Sequence, residues 1–360
     1  MFRPVMPQAL EKTSHAVQLR VVNPLDCPDW NERIDVRRHG SFFNTVEWAR
    51  VLSSSYGFEP CYIVGEEDGD IVSLLPMMHV GSWLTGRRGV SLPFSDYSEP
   101  VGMDSSRASL IMDALMDLGR RKKWRYFEVR CADGVEPGTP ASAVYRRHSL
   151  NLVPGEKVLF ESLESSVRTS IRKALKAGVE VTFSDTLEAL GEFYRLNCLT
   201  RRRHGLPPQP FSFFKNLHQQ VLAKGLGLVA TARHGGNVIA ASVYCHVGRK
   251  ALFKYGASDT RYQGLRGSTL VMWDAIRRYA GEGYETLSLG RTAVANEGLR
   301  RFKLGWGATE TELRYFNYDL RRGQFVGGGC DHDDTGYALV RLLPLSCSRL
   351  VGTLLYKHIA

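Results

Sequence analysis

Three scarcities in this 360-residue sequence each remove a class of protein. Its seven cysteines, at 27, 61, 131, 198, 245, 330 and 347, are odd in number, widely spaced and never arranged as Cys-x-x-Cys. That excludes a disulfide framework or a zinc ribbon and leads us to expect the reduced thiols of a cytosolic protein. No apolar run reaches the length of a membrane span, which excludes an integral helical membrane protein. The opening stretch MFRPVMPQALEKTSHAVQL lacks the apolar core of a secretion leader, in keeping with a cytoplasmic location. Acidic residues are short as well: 37 against 47 basic ones gives +10, which favours an anionic partner such as a nucleic acid, a nucleotide or CoA-type cofactor, or an anionic membrane surface.

What is present describes a folded chain. With 43% hydrophobic and 23% charged residues it is neither disordered nor fibrous, and its length suits two domains better than one. The run CDHDD at 330–334 reads as a polar surface loop rather than a metal site, because sequence neighbours seldom converge on one ion without a distant ligand. The C-terminal YALVRLLPLSCSRLVGTLLYKHIA is apolar but carries Arg341, Arg349 and Lys357. Since Pro344 interrupts a long helical face, we expect it to pack on the protein, with peripheral membrane contact as the other reading.

An internal repeat organises the rest. GDIVSLLPMMHVG at 69–81 and GNVIAASVYCHVG at 236–248 align at a constant offset of 167, and each follows a strand-like run and a turn pair, Asp68-Gly69 or Gly235-Gly236, suited to a hairpin. Each copy continues with a third strand (89–94; 251–258) and then a helix, with Ser106 expected as N-cap in the first and Ser268 or Thr269 in the second. A strand ending in arginine follows, at Arg130 and Arg291. Pro and Gly in NLVPGEK at 151–157 mark the junction. The expected architecture is α/β (α+β): a unit at 1–154, a second at 155–325 and a helical tail at 326–360, each unit a mixed, mostly antiparallel sheet flanked by helices.

Basic residues concentrate in the second unit. Arg168, Arg172 and Lys176 lie along one face of an expected helix. Another helix closes on Arg201, Arg202, Arg203 and His204, and Arg suits phosphate through bidentate hydrogen bonds. The loop SDTRYQGLRGST enters a helix N-terminus, where unpaired N–H groups favour an anion; Gly264 and Gly267 permit close backbone approach, Arg261 and Arg266 add charge, and Ser268 completes the expected cofactor-binding set.

This loop resembles the pyrophosphate loop of the GNAT acetyltransferases, Gln/Arg-x-x-Gly-x-Gly/Ala, although counting from Gln263 puts Arg266 where the first Gly belongs. RRRHGLPPQPFSFF, KYGASD and LGRTAVANEGLRRFKLGWG, with the flanking strands, resemble the GNAT-fold acyltransferase domain of the Fem-like and CelD-like proteins of peptidoglycan and exopolysaccharide assembly. The resemblance is strong over about 160–318, and SLPFSDYSEP at 91–100 extends it to the first unit as a tandem arrangement. It implies transfer of an acyl or aminoacyl group from acyl-CoA or aminoacyl-tRNA to an amine, with no metal. The second unit has no long charged heptad arm of the tRNA-dependent Fem enzymes, which favours an acyl-CoA (acetyl-CoA) donor. The family's Phe-Lys pair corresponds to Phe302-Lys303; the Asp that often precedes Gly-Arg is absent, since Ser288-Leu289 stand there.

Amide formation passes through an oxyanion that fixed positive groups stabilise. With a strand ending at Arg291 and Asn296 capping a helix from Glu297, Arg291 and Lys303 are expected to converge on one cleft. Lys303 is assigned to the oxyanion or a donor phosphate, Arg291 to substrate anchoring, and Phe302 and Trp306 to the walls, with core packing the other reading for the two aromatics. Asp96, Tyr97, Arg203 and His204 are expected at the substrate. Glu297, Asp259, Asp96, Glu99 and Tyr255 are candidates for the proton acceptor, as are His204 and His246, although His246, the counterpart of His79 in the repeat, suits a fold position better. The expected protein is a cytosolic N-acyltransferase, at the inner membrane face in the peripheral reading, that acts on a small-molecule or glycolipid acceptor of the envelope or exopolysaccharide. An aminoacyl-tRNA-dependent enzyme and a non-catalytic double-GNAT binding protein are the alternatives. DNA is not an expected partner.

Overall fold

The computed structural model describes residues 17–360 apart from 39, 99, 132–134, 136–137, 329–337 and 360; CDHDD and Glu99 therefore lie outside the described residues. The first half of the chain folds as β1 (Gln18–Val22), α1 (Trp30–Arg33), α2 (Val46–Tyr56), β2 (Glu59–Pro60), β3 (Tyr62–Glu67), β4 (Asp70–Leu75), β5 (Met78–Ser82), β6 (Gly86–Val90), α3 (Ser105–Arg121), β7 (Tyr126–Cys131) and β8 (Ala143–Asn151). The second half contributes α4 (Gly155–Ser162), α5 (Ser165–Lys176), β9 (Glu180–Ser184), α6 (Leu187–Arg203), α7 (Phe211–Gln220), β10 (Gly227–His234), β11 (Asn237–Val247), β12 (Lys250–Ser258), α8 (Gly267–Gly281), β13 (Thr286–Ala293), α9 (Glu297–Leu304) and β14 (Thr309–Asp319). The short strand β15 (Gln324–Val326), paired to β14, ends where the expected tail begins, and helices α10 (Ala338–Leu342) and α11 (Leu345–Leu355) follow.

The repeat is real and unequal. Both hairpin turns form at the expected pairs, with positive φ at Asp68 and Gly69 and at Gly235 and Gly236. Where the second copy runs as the unbroken β11, the first is split into β4 and β5 around Pro76, whose missing N–H cannot continue a ladder. As a result β1, β3 and β4 form a small separate sheet, while β5 belongs to the large one. Helix starts differ from expectation. Asp104, not Ser106, caps α3, its carboxylate accepting from the Arg107 N–H at 2.9 Å, and α8 begins from Arg266 in a left-handed conformation rather than from Ser268 or Thr269.

The large mixed sheet runs β2-β5-β6-β7-β14-β8-β13-β12-β11-β10-β9 and is flanked by helices. Its centre is an exchange: β14, from the second half, pairs with β7 of the first, and β8, from the first half, pairs with β13 of the second. β14 and β8 also pair with each other, Thr311 opposite Arg147 and Leu313 opposite Tyr145. One hydrophobic cluster likewise spans the chain, joining Trp48 and Phe43 to Phe213, Phe193 and Val243. Each half therefore completes the other at the centre of the sheet.

Candidate functional site

Two parallel strands part at this centre. β12 and β13 stay in register only from Lys250/Thr286 to Leu252/Ser288 and then diverge. Each bulges just past the last pair. On β12 the register against β11 shifts so that Lys254 is the extra residue, and on β13 Leu289 and Gly290 together oppose His148 of β8. Such bulges interrupt the ladder and re-aim side chains. Gly290 needs its φ of +72° to make this one, and a Cβ there would come within 2.8 Å of the Asp96 carboxylate.

The segment 91–98 from the first half lies across this opening. Leu92 and Phe94 both adopt positive φ, a local strain held by surrounding bonds. Lys254 Nζ donates to the Phe94 carbonyl at 2.6 Å, Arg130 Nη1 to the Ser95 carbonyl at 3.0 Å, Trp48 Nε1 to Ser95 Oγ at 2.8 Å, and Tyr315 Oη to the Asp96 carbonyl at 2.6 Å. Asp96 thus reaches the bulge of β13, and its charge acts on both Lys254 and Lys303.

Arginines line the adjoining sheet face. Arg291 and Arg147 are direct cross-strand partners. The Arg291 guanidinium lies 4.2 Å from the Tyr145 ring centroid and 5.0 Å from that of Tyr315, Arg130 lies 5.2 Å from the same Tyr315 ring, and Arg147 lies 3.9 Å from that of Tyr97. Rings under guanidinium planes help to fix the cations, and Arg130 is in addition paired to Glu128, its Nε donating to Oε1 at 2.7 Å. Lys254 sits among Phe43, Trp48 and Tyr255, at 5.0 to 5.4 Å from their centroids, and burial lowers its pKa against the opposing pull of Asp96.

Lys303 comes from α9, which Asn296 caps as expected, its side chain accepting from the Leu299 N–H at 3.0 Å. The ammonium is buried and donates to the carbonyls of Gly290 at 3.1 Å and Arg291 at 2.7 Å. Burial pushes its pKa down to about 8; Asp96 raises it and Arg291 lowers it further. Lys303 and Arg291 therefore share one bulge, but not as two free cations side by side. The lysine holds the backbone from the α9 side, and the arginine lies on its tyrosines. Behind Lys303, fully buried His148 meets Glu310 at 3.1 Å and is kept below its ordinary pKa chiefly by burial; Arg300 donates to Glu310 at 2.7 Å.

The remaining expected residues fall in several places. Trp306 is enclosed in the core, which corrects its reading as a wall: packing wins because α9 turns it inward against α4 and α5 residues, while its neighbour Phe302 is 41% exposed. Tyr255 lies in the Phe193, Phe213 and Phe214 cluster, and burial raises its pKa well above normal, which disfavours it as a proton acceptor. Tyr97 is buried between Phe43 and Arg147. Glu297 is exposed and paired to Arg300 at 3.4 Å. Asp259 is engaged by Arg261 at 2.6 Å. The segment holding Gly264 is a 3₁₀ helix, Thr260–Leu265, leading through Arg266 into Gly267 and Ser268 at the start of α8, and a Cβ on Gly264 would meet open space. Arg203 and His204 are exposed at the end of α6, where Thr200 donates to the Ser258 carbonyl and so places that end beside the β12–α8 connection. His79 and His246 are fold positions in both halves, bonded to Trp124 at 2.7 Å and Tyr279 at 3.1 Å.

Arg147 and Lys254 were missed, although Lys254 stands in KYGASD; Arg130 carried a signal, because the repeat ends both strands in arginine. Among the described residues, no group of three or more His, Cys, Asp or Glu is gathered to hold a metal ion.

A mixed sheet with splayed central strands, fed by both halves of one chain, is the fold that this chain shares with tandem GNAT proteins. Residues 162–316 match the family described as Acetyltransferase (GNAT) domain, which shows a GNAT domain over that part of the chain. It is 23% identical over 109 residues to the UDP-N-acetylmuramoylpentapeptide-lysine N(6)-alanyltransferase of Weissella viridescens; the match covers 30% of this chain and spans about a third, 32%, of that relative's length. Its fold resembles the crystal structure of FemX, with a TM-score of 0.65, 13% identity, and coverage of 85% of this chain and 98% of the other. It also resembles a tandem GNAT protein from the clavulanic acid biosynthesis pathway, solved without AcCoA, with a TM-score of 0.52, 11% identity, and coverage of 85% and 99%.

Proposed function

We propose that this chain is an N-acyltransferase that moves an acyl group from acyl-CoA to the amine of an envelope or exopolysaccharide precursor. The observation that carries the reading is the pair of bulged, parting strands beside Asp96 and the arginines at 130, 147 and 291. Attack of an amine on an acyl carbonyl needs a proton acceptor for the amine and fixed positive charge for the oxyanion. Asp96 takes the proton. Arg291, with Lys303 behind it, supplies charge at the bulge. Arg147 holds an anionic group of the acceptor, as a planar donor suited to phosphate or carboxylate, while Arg130, paired to Glu128 and bonded to the Ser95 carbonyl, positions the segment that carries Asp96. The donor enters past Arg266, Gly267 and Ser268, where the α8 N-terminus and its first-turn N–H groups suit a pyrophosphate. Arg261 does not join them directly, because its guanidinium is committed to Asp259.

An aminoacyl-tRNA donor is the second reading, favoured by the alanyltransferase name of the Weissella relative. The exposed Arg203 and His204 beside the β12–α8 connection would then meet tRNA phosphates. The test is a panel of acyl-CoAs with aminosugar and amino-acid acceptors, read as free thiol release. Turnover that survives RNase and drops about 10²-fold or more in Asp96→Asn supports the proposal; turnover only with charged tRNA, abolished by RNase, selects the second reading.

A further inference from the structure

The turn joining β5 to β6 presents Trp83 at 84% exposure and Leu84 at 55%. The turn is pinned: the N–H groups of Leu84 and Thr85 donate to Ser82 Oγ at 3.1 and 2.9 Å. The end of the chain is bound against it. His358 Nδ1 meets Ser82 Oγ at 2.8 Å, its carbonyl accepts from Thr85 Oγ1 at 3.0 Å and Arg88 Nη2 at 2.9 Å, and its ring lies 5.5 Å from that of Trp83. α11 therefore ends at the hairpin tip. Its inner positions Ser348, Gly352 and Tyr356 are buried, and Arg201 donates to Tyr356 Oη at 2.8 Å. Yet its outer face carries Leu350 at 61% and Leu354 at 57% exposure, one turn apart, with Ile359 at 47% beyond.

An indole and several branched side chains held in solvent on a pinned turn and the neighbouring helix suit an apolar partner. The surrounding charge identifies it. Neither 78–94 nor 335–360 contains an Asp or Glu, whereas Arg87, Arg341, Arg349 and Lys357 are present. Two copies meeting by this face would set like charges against each other. An anionic bilayer accepts Trp and Leu at its headgroup level and attracts the cations around them.

We infer that the β5–β6 hairpin tip and the outer face of α11 form one docking surface for anionic membrane lipid. Vesicle binding is read without turnover, so its failure and that of the proposed reaction are distinguishable. The experiment is cosedimentation of the full chain with vesicles of equimolar phosphatidylglycerol and phosphatidylcholine, against phosphatidylcholine alone. Binding is expected only to the anionic vesicles, weakened by salt. Trp83→Ser with Leu84→Ser, and separately Leu350→Ser with Leu354→Ser, should each weaken it at least about tenfold while thiol release with a soluble acceptor is unchanged. Brominated phosphatidylglycerol should quench the wild-type fluorescence, and Trp83→Phe should bind with reduced quenching. A wild type left in the supernatant, or variants that bind as well as it does, overturns the inference. So does a concentration-dependent dimer, abolished by the same substitutions, in a chain that ignores vesicles.

Discussion

At the scale of single residues, the decisive group is Lys303. Buried ammonium is expensive unless donors are satisfied, and the carbonyls of Gly290 and Arg291 satisfy part of it. Its folded pKa, about 8, lies below the ordinary 10.5. Between those values the unfolded chain binds more protons than the folded one, so stability should rise with pH across that window, and the burial cost is felt in full below it. The rise amounts to about 3 kcal/mol if the whole depression is realised. Urea unfolding across this range should reveal it, and Lys303→Met should flatten it. If the charge also supports the oxyanion, turnover falls as pH climbs through about 8, and Lys303→Met lowers kcat by roughly 10²-fold with less change in KM. Lys303 was legible in the sequence through the Phe-Lys resemblance. That its ammonium would be tied to the backbone was not, because a local pattern does not say which carbonyls a bulge turns outward.

At the scale of elements, the bulge of β13 joins sequence to chemistry. Gly290→Ala places a methyl where Asp96 stands and asks an L-residue to hold a φ of +72°. A stability loss of about 1–3 kcal/mol is expected, with a larger loss of turnover than any distant substitution of equal thermodynamic cost. Denaturant titration alongside steady-state kinetics separates the two. The hairpin turns and the Asn296 cap could be read from the chain because they are decided by residues within one turn of each other. The start of α8 could not: Thr260 to Leu265 fold as a 3₁₀ helix that ends on a left-handed Arg266, against its side-chain preference.

At the scale of the whole molecule, the exchange of β8 and β14 makes the two halves interdependent. Each would otherwise leave a long open edge at the centre of its sheet. The chain should accordingly unfold in a single cooperative transition, with near-ultraviolet dichroism and tryptophan fluorescence changing at the same denaturant concentration. Two separated transitions would show that the halves hold without their exchanged strands. A break introduced between Asn151 and Gly155 should leave the two pieces associated. α11, anchored to Pro207 through Tyr356 and to the β5–β6 hairpin through His358, adds a clasp across both halves.

The sequence by itself determined what depends on spacing: the 167-residue repeat, the hairpins, the helix that presents Lys303, and an arginine near the end of each equivalent strand at 130 and 291, although the strands run on to Cys131 and Ala293. Tertiary structure alone decided that those two arginines share the Tyr315 ring, that Arg147 and Lys254 join them, that Trp306 packs inward, and that Asp96 from the first half stands at the bulge of the second. The reason is the range of the interactions. Turns and caps are settled over a few residues, whereas a site built from strands that trade places is settled by pairings between residues more than a hundred positions apart, which no local pattern encodes.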